Sequence, residues 1–197
     1  KYVYDHGMTH SKEVSIETLA GIKLLHLHTD AEDRVDQVKV DMGEPILADP
    51  TQLATPDGSL KEGTVSVGNR NYIGTFVSMG NPHFVIFVDD IQSVDLSGEG
   101  PALENLPLFP QKCNIEFAQL LSDGSLRTRV WERGTGITMA CGTGACATAV
   151  AAKLCGLNDG HSTIKMDGGT LSIEWSENGH IFMTGPATTV FEGTIKL

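Results

Sequence analysis

Residues 143–154 read Thr-Gly-Ala-Cys-Ala-Thr-Ala-Val-Ala-Ala-Lys-Leu, and Cys155-Gly156 follow. Alanine favours a helix here, and the glycine ends it. Almost every side chain in the segment is small and apolar, whichever way it points. A helix that is apolar all round has no wet face and must be buried. The rest of the sequence offers mainly short strand-like segments, at 14–18, 21–29, 34–42, 65–67, 71–78, 83–89, 113–120, 126–131, 163–166, 170–175, 181–184 and 188–196. Residues 34–42 alternate apolar and polar, as a half-buried strand does. Ala20-Gly21 reads as a turn between strands, and Ser122-Asp123-Gly124 as a hairpin turn. Short strands at this spacing favour an antiparallel, barrel-like sheet curled around the buried helix, hence an α+β chain. Residues 95–104 suit a second, more exposed helix. Residues 49–63, with two Pro and two Gly, suit a long loop.

At 197 residues the chain has room for one large domain or two small ones, with a proper core in either case. It carries 25 acidic against 14 basic residues, a net charge of -11. Such a surface repels phosphate backbones, which argues against a nucleic-acid partner. Its apolar runs fall short of the roughly 18 residues of a membrane span, so no membrane partner is expected. The four cysteines, at 113, 141, 146 and 155, include no C-x-x-C pair. Neither a disulfide scaffold nor a structural zinc site is expected from them. They read as reduced thiols of a cytoplasmic protein. Residues 1–7 read as the tail of a helix closed by Gly7, and the first residue is Lys1 rather than Met, so further residues are expected upstream.

Cys141 falls just before the buried helix. Unpaired N–H groups at a helix start carry partial positive charge, which favours a thiolate and lowers a thiol's pKa. The same N–H groups, from Gly142 and Thr143 onward, form a natural site for a carboxylate. A carboxylate held there would place its Cα near the sulfur. That suits proton abstraction next to a carboxylate, and it suits nucleophilic attack less, because no triad partner is visible. An isolated cysteine is ordinarily buried packing. The flanking glycines and the preceding Glu132-Arg133 set Cys141 apart. Cys113, Cys146 and Cys155 keep the packing interpretation.

A Glu-Arg dipeptide is usually a solvated pair. Here Gly134 and Gly136 follow it and the cysteine turn comes soon after. A Glu can hold an ammonium and an Arg can grip a carboxylate, both of which suit an amino acid. Ser78-Met79-Gly80-Asn81-Pro82-His83 reads as a rigid turn with its polar groups facing one way. Asn114 carries no independent signal. Gly142-Thr-Gly144-Ala-Cys-Ala147 also matches a dinucleotide fingerprint, with Asp167 downstream. A buried apolar strand should precede such glycines, but 127–133 is Arg-Thr-Arg-Val-Trp-Glu-Arg, so that match is set aside. Neither His6 with His10 nor His26 with His28 joins a constellation that would hold a metal.

Several longer motifs carry a resemblance. They are Glu132-Arg133-Gly134-x-Gly136 and Ala140-Cys-Gly-Thr-Gly-Ala-Cys146, with Ser78-Met-Gly-Asn-Pro-His83 and Asp41-Met-Gly-Glu-Pro45. Ser15-Ile-Glu-Thr-x-Ala-Gly21, Gly168-Gly-x-Leu-x-Ile-x-Trp175 and Met183-Thr-Gly-x-Ala187 extend them along the whole chain. Together they resemble the later two-thirds of a diaminopimelate epimerase. The resemblance implies two pseudo-symmetric domains, each a curled sheet around a central helix. The first would be residues 1–41, completed by a C-terminal strand at 187–197 and itself incomplete here, and the second residues 42–186. It implies a homodimer and a cofactor-independent reaction, without pyridoxal phosphate, in which two cysteines interconvert LL- and meso-2,6-diaminopimelate on the route to lysine and peptidoglycan. On this chain Cys141 would be one base. Gly142 and Thr143 would hold the reacting carboxylate through their backbone. Glu132 and His83 would assist at the reacting centre. Asn81, Asn114 and Arg133 would hold the distal amino-acid end.

Two departures accompany the resemblance. The family's other catalytic cysteine, in a Cys-Gly-Asn turn, would lie upstream of Lys1, so this chain by itself is expected to be inactive. Ile137 stands where the family pattern has Glu. The alternatives are a proline racemase-like enzyme of the same fold and a non-catalytic carboxylate-binding module.

Overall fold

The structure, a computed structural model, describes residues 1–19 and 21–196. Ala20 of the expected Ala20-Gly21 turn and Leu197 at the chain end lie outside it. The chain divides into two compact units, one formed by 1–41 with 184–197 and the other by 42–183.

The first unit opens with α1 (Tyr2–Asp5) and continues through β1 (Glu13–Thr18), β2 (Gly21–Thr29) and most of β3 (Val35–Gly43). The strands pair antiparallel, Val14 opposite Leu25 and Leu25 opposite Val40. α1 is tied to β3 by Asp5, whose carboxylate accepts the Val35 N–H at 3.0 Å. The expected strand at 187–197 does not form: residues 187–196 lie in no strand, although Ala187 N–H donates to the Asp36 carbonyl at 2.8 Å. The Thr-Thr-Val-Phe pattern favours extension. A strand also needs a ladder partner and a face to bury, and Val190, Phe191 and Ile195 are all exposed.

The second unit holds β4 (Gly63–Val67), β5 (Arg70–Ser78), β6 (Pro82–Phe87), α2 (Leu96–Glu104), β7 (Asn114–Leu120), β8 (Leu126–Glu132), β9 (Gly136–Thr138), α3 (Gly142–Leu154), β10 (His161–Met166), β11 (Gly169–Trp175) and the start of β12 (Ile181–Pro186). Strand order is β12-β11-β10-β8-β7-β6-β5-β4, with β9 beside β8. Close strand spacing suggested antiparallel pairing throughout, and this is corrected at two places. β6 runs parallel to β7, and β8 runs parallel to β10. Parallel neighbours need a crossover. α2 lies in the first connection and α3 in the second, so the two helices are the crossovers.

The period of two along each strand divides the core. Phe76, Phe84, Ile86, Ile115 and Phe117 belong to one apolar cluster, with α2's Leu96 and Leu103. Val77, Val85, Ala118, Leu126, Ile164 and Ile173 belong to the other, with most of α3. α3 meets β5, β6, β7, β8, β10 and β11, and every residue from Gly144 to Ala152 is buried. Small side chains let backbones approach from all sides, as the sequence of this helix demanded. Gly156 ends it with φ at +73°.

Candidate active site

The alternation that buries Val85 and Ala118 against α3 also turns His83, Asn114 and Glu116 to that face. β6 and β7 run in parallel, with His83 opposite Asn114 and Val85 opposite Glu116. The register brings His83 Nδ1 within 2.6 Å of Glu116 Oε1, and both side chains are wholly buried. The other ring nitrogen, Nε2, lies 3.2 Å from Asn81 Oδ1. Asn81 sits after Gly80, whose φ of +92° makes the bend that returns the chain into β6. Asn81 Nδ2 in turn donates to Thr143 Oγ1 at 3.4 Å. Thr143 Oγ1 lies 3.5 Å from Cys141 Sγ.

Cys141 is the N-cap of α3. Its backbone is extended, and its sulfur accepts the Gly144 N–H at 3.3 Å. The N–H groups of the first helical turn have no intrahelical acceptor, and that of Gly144 serves the sulfur. Gly142 packs under Met183, whose sulfur would lie 3.3 Å from a Cβ there. Gly144 is tighter, since a Cβ would meet Glu116 Oε1 at 2.8 Å and Cys141 Sγ at 3.2 Å.

The sequence led us to expect a lowered Cys141 pKa, and the site corrects this. The thiol is pushed up to about 11, first by burial and then by the charge of Glu116, with Glu132 adding to the rise. The Thr143 hydroxyl and the Gly144 N–H pull it down without prevailing. The helix start does act in the expected direction, but desolvation of the charged form is the larger effect.

Glu132 ends β8, and its Oε1 accepts the Thr138 hydroxyl at 2.5 Å across the β8–β9 pair. The turn that follows is held from below by Glu104 of α2. One Glu104 oxygen accepts Trp131 Nε1–H at 2.7 Å and the other accepts Gly134 N–H at 3.1 Å. α2 comes this close because Gly100 lies against the Trp131 ring, where a Cβ would be 2.5 Å away. Asn114 works mainly as a backbone staple: its amide donates to Pro82 O at 2.8 Å and its carbonyl accepts Arg133 N–H at 2.9 Å. Arg133 Nη1 donates to Gln111 O at 3.0 Å. Ile137, at the position of the expected Glu, faces Trp131 across the ladder and is exposed.

The structure thus joins Cys141, Thr143, Asn81 and His83 in one line of polar contacts, and groups Arg133 with Asn114. Reasoning from the sequence passed over Glu116. The signal was available: a lone carboxylate in Cys113-Asn-Ile-Glu-Phe-Ala118, in phase with Asn114. The other thiols are elsewhere. Cys113 and Cys146 are fully buried, and Cys155 lies 3.6 Å from Thr75 Oγ1. Among the described residues, no three His, Cys, Asp or Glu side chains are grouped to hold a metal ion.

A family profile described as diaminopimelate epimerase matches residues 75–190, which include all of these side chains. The diaminopimelate epimerase of Phocaeicola vulgatus is 57% identical over 198 residues, covering 100% of this chain and 70% of that protein. That of Parabacteroides distasonis is 51% identical, covering 100% of this chain and 69% of that protein. Among solved structures, a probable proline racemase from Agrobacterium radiobacter superposes with a TM-score of 0.71 at 15% identity, over 99% of this chain and 64% of that one. At that identity the likeness is one of fold.

Proposed function

The chain belongs to the diaminopimelate epimerase family, a family of isomerases in lysine biosynthesis, and on that premise we propose that Cys141 is one of two acid–base groups that invert a Cα centre of 2,6-diaminopimelate. The observation that carries this reading is the N-cap itself. Gly144 N–H holds the sulfur at 3.3 Å beside the first backbone N–H groups of α3. A substrate carboxylate on the Gly142 and Thr143 N–H groups would sit at the positive end of the helix, with its Cα turned to Sγ.

In the reaction so proposed, a thiolate on one face takes the Cα proton and a thiol on the opposite face gives its own to the carbanion. One C–H bond breaks, one forms, and the two sulfurs exchange protonation states. Since Cys141 is pushed up to about 11, it waits as the thiol and donates, and in the reverse direction its thiolate abstracts. Cys113, Cys146 and Cys155 are badly placed to serve as the second base, so we assign that role to a group outside these residues. Glu132 and His83 would assist at the reacting carbon, and Asn81, Asn114 and Arg133 would hold the far end of the substrate. The contact of α3 with six strands supports a sheet curled around it in a barrel-like way. Assembly as a homodimer and a cytoplasmic setting are supported by family kinship.

The test is to incubate the full natural protein with LL-diaminopimelate in D2O. Deuterated meso product is expected from the unsubstituted enzyme and none from Cys141→Ala. Sustained turnover by Cys141→Ala would remove Cys141 from the chemistry.

A further inference from the structure

Glu116 is a fully buried carboxylate in the middle of β7, between Ile115 and Phe117, and the reaction as proposed gives it no part. Its Oε1 is 2.6 Å from His83 Nδ1. The same oxygen borders the Cys141 turn, because a Cβ on Gly144 would lie 2.8 Å from it. Its Oε2 is buried with no hydrogen-bond partner. Burying a carboxylate with one oxygen unsatisfied is costly and wants an explanation. Packing alone would be served better by an apolar residue of the same size.

We propose that Glu116 is a positioning residue of this site: it fixes the His83 ring so that Nε2 faces Asn81, and it keeps Cys141 in the thiol form until substrate arrives. The inference rests on the acid–base role given to Cys141 above. The first half follows from the hydrogen bonds. The 2.6 Å contact of Glu116 Oε1 with Nδ1 holds the ring in one orientation, and that orientation sets Nε2 3.2 Å from Asn81 Oδ1. That line continues through Asn81 and Thr143 to Sγ. The second half follows from charge. Cys141 is faced by Glu116 from β7 and by Glu132 from β8, and both carboxylates oppose a thiolate. Glu116 is itself faced by His83 from β6 and by Cys113 just before β7. Of the two carboxylates, Glu116 acts on the sulfur more strongly.

The experiment compares the full natural protein with Glu116→Gln and Glu116→Met. Carboxamidomethylation of Cys141 by iodoacetamide is followed against pH by peptide mass spectrometry, alongside kcat and KM for LL-diaminopimelate. Loss of the charge should raise the Cys141 alkylation rate at pH 8 by about ten-fold in both variants, since thiolate is the reacting form. Glu116→Gln, which keeps a polar partner for Nδ1, should lose about ten-fold in kcat with KM within about two-fold of the parent. Glu116→Met, which keeps none, should lose more. Alkylation curves that overlay the parent's, or a change in KM alone, would overturn the proposal. Should both variants fail to fold, the alkylation profile of the unsubstituted protein still decides, because a Cys141 that reacts at pH 7 as fast as free cysteine contradicts it. If the parent does not turn over diaminopimelate while the alkylation shift appears, the substrate reading fails and the hold of Glu116 on Cys141 stands.

Discussion

The backbone N–H of Gly144 donates to Cys141 Sγ across 3.3 Å, so one sulfur both caps the helix and faces the site. Two substitutions separate those duties. Cys141→Ser keeps an acceptor at the cap and should leave stability near that of the parent while activity disappears. Cys141→Ala loses both and should cost about 1 kcal/mol of stability as well. Calorimetric melting paired with the epimerase assay checks this, and equal melting temperatures for the two variants would remove the capping role.

Gly144→Ala turns a propensity rule around. Alanine for glycine in a helix ordinarily stabilises by about 1 kcal/mol. Here the added methyl would meet Glu116 Oε1 at 2.8 Å and Sγ at 3.2 Å, both of them buried groups held by their own partners. Net destabilisation is expected, with activity down by an order of magnitude or more as the sulfur and carboxylate are pushed apart. A variant that melts higher than the parent and keeps its kcat would contradict the packing described for this turn.

Much of this turn could be read from the sequence, and the reasons are local. The all-round apolarity of 143–154 fixed a buried helix without knowledge of its surroundings, and the glycines marked where the backbone bends. The strands showed through their period of two. What the sequence hid is what depends on register between distant segments. Glu116 meets His83 because β6 and β7 run parallel in a given register, and nothing in either strand announces its neighbour. The Cys141 pKa went the other way from expectation for the same reason: the helix start is visible in the sequence, whereas the burial and the Glu116 carboxylate are supplied by the fold. Residues 187–196 show the converse, since a strand-like pattern does not form a strand without a partner.

Glu104 holds the turn after β8 by its two oxygens, on Trp131 Nε1 and Gly134 N. Glu104→Ala would take the acceptor from two donors at a turn that is only half-buried, at a cost of about 1–2 kcal/mol. Glu132 borders that turn and Arg133 lies on it, so KM for the substrate should rise more than kcat falls. Chemical denaturation and steady-state kinetics measure the two effects, and a stable variant with unchanged KM would show that the turn holds its shape without Glu104.

The position of Cys141 also sets a dependence of stability on alkaline pH. The folded thiol is pushed up to about 11 from an ordinary 9.0. Between those values the unfolded chain has released this proton and the native state has kept it, so raising the pH favours unfolding. The contribution is therefore fully present below about pH 8.5–9 and is lost as pH climbs through the folded value, amounting to roughly 2–3 kcal/mol over two units. Cys113 is buried and raised in the same sense, so the informative quantity is a difference between proteins. Urea midpoints for the parent should fall more steeply from pH 8 to pH 10.5 than those for Cys141→Ser, which has no thiol to titrate there. Parallel curves would mean that Cys141 ionises as readily in the folded protein as in the unfolded one, and that the helix start outweighs burial after all.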